Sequence, residues 1–175
     1  MDEFMALFNS VEVQAWRLLV HDEYNATEAE GARRREWGRT GTVPDRSGDD
    51  WLAMVRRYAE ADVAFARVHV FPGRDELTPY CEYVLDSYEW NDAAGERVAI
   101  ADRALHPELD RLDRDFWVLD DSVVVLVYGP DGEFSGAYLA EGHEREDRLE
   151  HRRIAEECSV RLAEYKDARS RRLTA

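Results

Sequence analysis

The stretch DFWVLDDSVVVLVYGPDG, from Asp115 to Gly132, gathers more candidate chemistry than any other part of the chain. Asp115, Asp120 and Asp121 offer carboxylates of the kind that hold magnesium or calcium. Adjacent aspartates also favour a chain reversal between two strands, and the apolar run beyond them reads as the second arm of a β-hairpin. Asp115 stands at the start of the first arm, directly before Phe116 and Trp117. There its carboxylate can fix a neighbouring backbone amide or an arginine.

The remaining reactive groups are scattered. The histidines are His21, His69, His106, His143 and His151, with no i, i+4 pair among them, and neither Cys81 nor Cys158 adjoins one. Sequence spacing therefore assigns no metal site. His69 lies mid-strand in RVHVF, where it either points into a pocket or is simply accommodated. No Gly-x-Ser-x-Gly elbow occurs, and the EEC run around Cys158 raises the pKa of that thiol. Gly129 and Gly132 flank a hairpin turn and do not form a phosphate loop. Lys166 is the sole lysine, which excludes a Schiff base elsewhere and any loop ending in Gly-Lys-Ser/Thr.

What is left is recognition. Trp16, Tyr80, Tyr83, Trp117 and Tyr128 present large rings with polar handles that want partners when buried. Should they converge, Arg17 or Arg67 can supply a charged anchor for a small-molecule ligand. The candidate ligand-binding set is Arg17, Arg67, His69, Tyr80, Tyr83, Asp115 and Trp117, with no catalytic residue and no cofactor assigned. As ordinary core, the same side chains would serve packing alone.

The 175 residues suit one domain, 1–175, and the 45% hydrophobic and 11% aromatic fractions suit a folded core. A net charge of −15 repels nucleic-acid phosphates and favours a basic protein surface or cationic ligand, although acidity also serves solubility alone. The opening MDEFMALF is acidic where a secretory leader is basic, and no apolar run is long enough to span a bilayer. A cytoplasmic protein with reduced cysteines and no membrane partner is expected.

Periodicity supplies the frame for these residues. Met1 to Phe8 suits a short helix, and Val13 to Tyr24 a strand with Trp16, Leu18 and Val20 on one face. Asn25 and Thr27 are cap candidates for a charged helix ending near Gly38. A flexible loop follows at about 40–50. Asp49 or Asp50 caps the next helix, with Trp51, Leu52, Val55, Tyr58 and Ala59 on one side. A strand over Val63–Phe71 leads to a helix capped by Thr78 with Pro79 at its first position. Strands are expected at Arg97–Arg103, Phe116–Leu119 and Val123–Tyr128 and within EFSGAYLAE. One long helix then runs from about Glu144 to Arg171, its stripe of Ala155, Cys158, Leu162 and Tyr165 docked on the sheet. This order predicts an α/β protein (α+β is possible), a mixed β-sheet with helices packed on it.

Taken together, AWRLLVHDEY, WLAMVRRYAEADVAFARVHVF, TPYCEYVLDSYEWNDAAGERVAI and DFWVLDDSVVVLVYGPDGEFSGAYL resemble an uncharacterised actinobacterial family of domains of unknown function. The likeness runs from about Phe8 to Tyr165. Its most specific parts are Asp115-Phe116-Trp117 with Asp120, and Asn91 with Gly95-Glu96. Members are commonly encoded beside XRE-type helix-turn-helix regulators, which implies a protein partner of that type. A weaker architectural likeness is to one half of a phospholipase D-like domain, where the strand equivalent to DFWVLDD carries a histidine nucleophile and then a lysine. This strand has neither, which implies a catalytically dead version.

The leading expectation is a non-enzymatic ligand- or protein-binding accessory of a transcription regulator, with the DNA-binding part on another polypeptide. One alternative is a metal-dependent hydrolase or nuclease using Asp115, Asp120 or Glu82 near His69. Another is an antitoxin- or immunity-like partner whose acidity neutralises a basic toxin.

Overall fold

The computed structural model describes residues 2–24, 27–73, 77–130 and 132–173. Its first half runs α1 (Asp2–Asn9), β1 (Gln14–Leu19), α2 (Glu28–Thr40), α3 (Asp50–Glu60), β2 (Ala64–Phe71), α4 (Pro79–Ala93) and β3 (Arg97–Asp102). A 3₁₀ helix (Pro107–Arg111) precedes β4 (Phe116–Leu119), β5 (Ser122–Tyr128) and β6 (Phe134–Leu139). The chain closes with α5 (Gly142–Glu157), β7 (Ser159–Arg161) and α6 (Leu162–Leu173).

The strands form one sheet in the order β6-β5-β4-β1-β2-β3-β7. Strands β1, β2 and β3 are parallel neighbours, whereas β4, β5, β6 and β7 each join an antiparallel partner. The expected mixed sheet of an α/β protein is therefore present. Strand alternation divides the core into two layers. Trp16, Leu18, Val68, Val70, Phe116 and Val118 pack with Ile154 and Ala155 of α5 and with Leu109 of the 3₁₀ helix. On the opposite face Leu19, Phe71 and Ile100 meet α4 and α6, while Ala15, Phe65 and Trp117 meet α1 and α3.

Local chemistry starts the helices where the sequence indicates. The Asp49 side chain accepts from the Trp51 amide at 2.9 Å, and α3 then buries Leu52, Val55 and Tyr58. Thr78 accepts from the Cys81 amide at 3.1 Å, with Pro79 in the first turn of α4. Thr27 caps α2, which buries no residue and continues to Thr40, two residues beyond Gly38, before Gly41 reverses it at φ 70°. The other proposed cap, Asn25, lies outside the described residues.

The single helix expected over Glu144–Arg171 is two helices with a strand between them. The helix stops at Cys158, and Ser159–Arg161 pairs antiparallel with β3, Ala101 opposite Ser159. The apparent stripe explains the misreading. Ala155 and Cys158 belong to one face of the sheet, Leu162 and Tyr165 to the other. A straight helix cannot reach both, so the chain crosses the sheet edge as β7. The sole lysine then fastens α6 to α4, Lys166 Nζ donating to Asp86 at 3.0 Å and also to Glu89.

The β4–β5 turn shows what the aspartate doublet does. Asp120 adopts φ 49°, a left-handed conformation that aspartate tolerates. Its carboxylate accepts from the amides of Glu12, Val13 and Gln14 at 2.9, 2.9 and 2.8 Å. Modest burial alone would raise its pKa. The three amide donors prevail and hold it below the usual carboxylate range. Asp120→Ala is expected to cost about 1–2 kcal/mol by leaving amides at the start of β1 without their acceptor, measured by urea unfolding. An unchanged midpoint would show that water satisfies those amides equally well.

Candidate functional site

A polar seam runs through the face that carries α3 and α4, and its centre is a pair of arginines. Arg17 on β1 and Arg67 on β2 occupy paired register positions on parallel neighbours, so two cations project from adjacent strands. Arg67 is neutralised completely. Its Nη2 donates to Glu96 Oε2 at 2.9 Å, its Nε donates to Glu96 Oε1, and Asn91 Nδ2 donates to the same carboxylate at 2.7 Å. Gly95 makes this clamp possible. It adopts φ 108° at the end of α4, and a Cβ there would come within 2.8 Å of Ala59 Cβ. Stacking on Tyr88 and Trp51, 4.8 and 5.7 Å from the ring centroids, encloses the Arg67 guanidinium.

Arg17 is not neutralised in this way. Its Nη2 donates to Tyr128 Oη at 3.1 Å, its Nε is buried without a hydrogen-bond partner among the described residues, and Asp115 Oδ2 lies 3.9 Å off. The guanidinium sits 5.4 Å from the Trp117 ring centroid, and Trp117 is its antiparallel register partner on β4. Asp115 is already committed elsewhere, accepting from the Val20 amide at 2.9 Å and from Tyr24 Oη at 2.7 Å. Burial pushes the Asp115 carboxyl up, against the opposing pull of Arg17, Tyr24 and Val20.

Above the arginines lies a cleft of about 410 Å³. Arg17, Arg67, Tyr80 and Tyr128 line it together with Trp51 and Tyr24. Its rim comes from α2 and from the loop before α3, the stretch expected as a flexible loop. Arg46 in that loop is buried, donating to Ser87 Oγ and Asn91 Oδ1 at 2.9 Å each and to Asp49 at 3.2 Å. Arg33 pairs with Glu30 at 2.6 Å and with Asp49 at 3.4 Å. Among the described residues, four arginines line the cleft, and of these Arg17 alone lacks a carboxylate within hydrogen-bonding distance.

The remaining candidate residues are distributed around this cleft. His69, Asp115 and Trp117 are buried beneath it, and Tyr83 faces an adjoining pocket of about 270 Å³. Tyr83 Oη donates to Glu30 at 2.7 Å. His69 Nδ1 lies 2.8 Å from Tyr88 Oη and Nε2 lies 3.3 Å from the His21 carbonyl. A carbonyl only accepts, so Nε2 carries the proton and Nδ1 accepts from Tyr88. Burial lowers the His69 pKa to about 3. The acid–base set named from sequence does not converge. Glu82 pairs with Arg169 at 3.3 Å and Asp120 holds the start of β1. Tyr24, Tyr88 and Arg46 escaped sequence reading because nothing in their spacing signals the cleft. Asn91 and Glu96 were visible only as parts of a resemblance.

Fold and site thus define an α/β protein with an arginine- and aromatic-lined cleft on one face of its sheet. The chain belongs to a family described as a domain of unknown function, DUF6879, whose model matches residues 2–167. That agrees with the resemblance to an uncharacterised family. Comparison with curated proteins and with solved structures finds no match. No helix among the described residues is long and apolar enough to cross a membrane.

Proposed function

We propose that this protein is a non-enzymatic binding module whose cleft takes a small anion carrying a planar or aromatic group. It would report that ligand to a partner protein, an XRE-type helix-turn-helix regulator. The observation that carries the reading is Arg17, a partly exposed cation beside a second arginine, with no carboxylate hydrogen-bonded to it among the described residues, in a cleft walled by aromatic rings. A carboxylate or phosphate would pair, through a charge-assisted bond, with the part of the Arg17 side chain that lines the cleft, and the rings would sandwich the rest of the ligand. The volume falls within the range of small-molecule sites. The groups required for a hydrolase are spread over separate contacts, and β4 carries neither histidine nor lysine. The partner half of the reading rests on the family resemblance and the net charge of −15.

The test uses benzoate and phenyl phosphate as probes, with benzamide as the neutral control, followed by thermal shift and tryptophan fluorescence. At least one anion is expected to bind, and Arg17→Gln to weaken it about 10- to 150-fold, the worth of one charged hydrogen bond. Benzamide binding as tightly as the anions, or full retention in Arg17→Gln, would sink the ligand reading. A pull-down from the native host that recovers no such regulator would sink the partner reading.

A further inference from the structure

Away from the cleft, the break between α5 and β7 brings Cys158 to a neighbouring pair, His106 and Glu108, that lies far from it in sequence. Cys158 is the C-cap residue of α5, and His106 and Glu108 stand at the start of the 3₁₀ helix beneath it. Cys158 Sγ lies 3.3 Å from Glu108 Oε1, across a sequence separation of 50. His106 Nδ1 lies 3.6 Å from the same oxygen, and the three ligand atoms all fall within 4.8 Å of one another.

Those separations can be compared with what a metal requires. A tetrahedral zinc ion with bonds of about 2.0–2.3 Å to nitrogen, oxygen and sulfur sets its ligand atoms about 3.3–3.6 Å apart. Two of the three edges are thus already at that length. Cysteine, histidine and glutamate are all zinc ligands, and three of them leave a fourth position for water. The thiol is buried while the side chains of His106 and Glu108 are 37% and 50% exposed, which leaves an approach from solvent. We propose that His106, Glu108 and Cys158 form a zinc-binding site that clips the 3₁₀ connector to the corner where the C-terminal segment crosses the sheet edge. The site is independent of the ligand cleft.

Without metal, Cys158 donates its S–H to Glu108. A cysteine thiol ordinarily titrates at about 8.5. Near neutral pH it is therefore protonated, and zinc uptake must expel that proton to solvent as the S–Zn bond forms. Glu108 enters as a carboxylate.

The experiment titrates zinc into the full chain under reducing conditions, by calorimetry in buffers of different ionisation enthalpy. One equivalent is expected to bind with release of about one proton from the thiol. Cobalt as substitute should give the near-ultraviolet thiolate-to-metal band. Losing an outer partner of a metal ligand costs 10–100-fold, so Cys158→Ser and His106→Ala are each expected to weaken binding at least about 100-fold. Cys81→Ser is the control, expected to bind as the parent does. Zinc at a hundredfold excess over its Kd should raise Tm by about 5–10 °C in the parent and not in Cys158→Ser. Circular dichroism verifies that each variant is folded. Binding that is equal in the parent and in a folded Cys158→Ser, or a cobalt complex without the thiolate band, would overturn the proposal. So would the absence of zinc binding to the parent chain.

Discussion

Glu96→Ala is expected to destabilise the protein by about 3–5 kcal/mol, which for a chain of this size lowers Tm by about 6–20 °C. Glu96 and Arg67 are both buried and joined by two hydrogen bonds, with Asn91 completing the carboxylate's set of donors. Removing Glu96 leaves the Arg67 charge among Trp51 and Tyr88, with Arg17 at the paired position on the next strand. Desolvation of an unpaired cation, and not the small attraction of a surface pair, sets the size of the effect. Chemical denaturation of parent, Glu96→Ala and Glu96→Gln measures it. The glutamine variant keeps the shape and an acceptor for Asn91 but loses the charge, so it should fall between the other two. A loss under about 1 kcal/mol in Glu96→Ala would mean that Arg67 escapes to solvent at little cost, against the enclosed geometry described above.

The second large effect is a dependence on acid. His69 is fully buried, and burial depresses its pKa to about 3, far below the ordinary value of 6.5. Between those values the unfolded chain binds a proton that the folded chain refuses. Stability is complete above about 6.5 and falls as pH drops through the window, by at most about 1.4 kcal/mol per pH unit. Asp115 works the other way. Burial raises its carboxyl, so near the ordinary carboxylate range the folded state holds the extra proton and part of the loss is offset. His69→Gln isolates the histidine, since an amide can still accept from Tyr88 and donate to the His21 carbonyl without titrating. Subtracting the two stability–pH curves should leave a slope confined to pH 3–6.5. Parallel curves would show that His69 takes up its proton inside the fold.

Both predictions concern the same polar seam, and the seam was only partly legible in the sequence. Arg17 and Arg67 could be picked out as arginines in apolar strands. That they are register partners depends on β1 and β2 being parallel neighbours, which single-strand periodicity does not encode. Asp115 illustrates the same limit. Its place before Phe116 indicated a structural clamp, whereas the identity of what it clamps, Val20 and Tyr24, required the β1–β4 pairing. Tyr83 reads as one of the cleft rings on helical spacing, yet its hydroxyl turns to Glu30 of α2.

By itself the sequence determined the things that local chemistry controls. A cap at Thr78, caps narrowed to Asn25 or Thr27 and to Asp49 or Asp50, the alternation of β1 and the reversal at Asp120 all follow from side chains acting within a few residues. The α/β class followed from the order of those elements. Tertiary structure decided which residues became neighbours. Only the packed sheet put Glu96 against Arg67, held the Asp115 carboxylate 3.9 Å from Arg17, and carried Cys158 to Glu108. It also decided that the C-terminal stripe is two stripes on opposite faces, separated by a strand. The physical reason is range. Periodicity records which face of an element is apolar, and says nothing about which distant element covers that face.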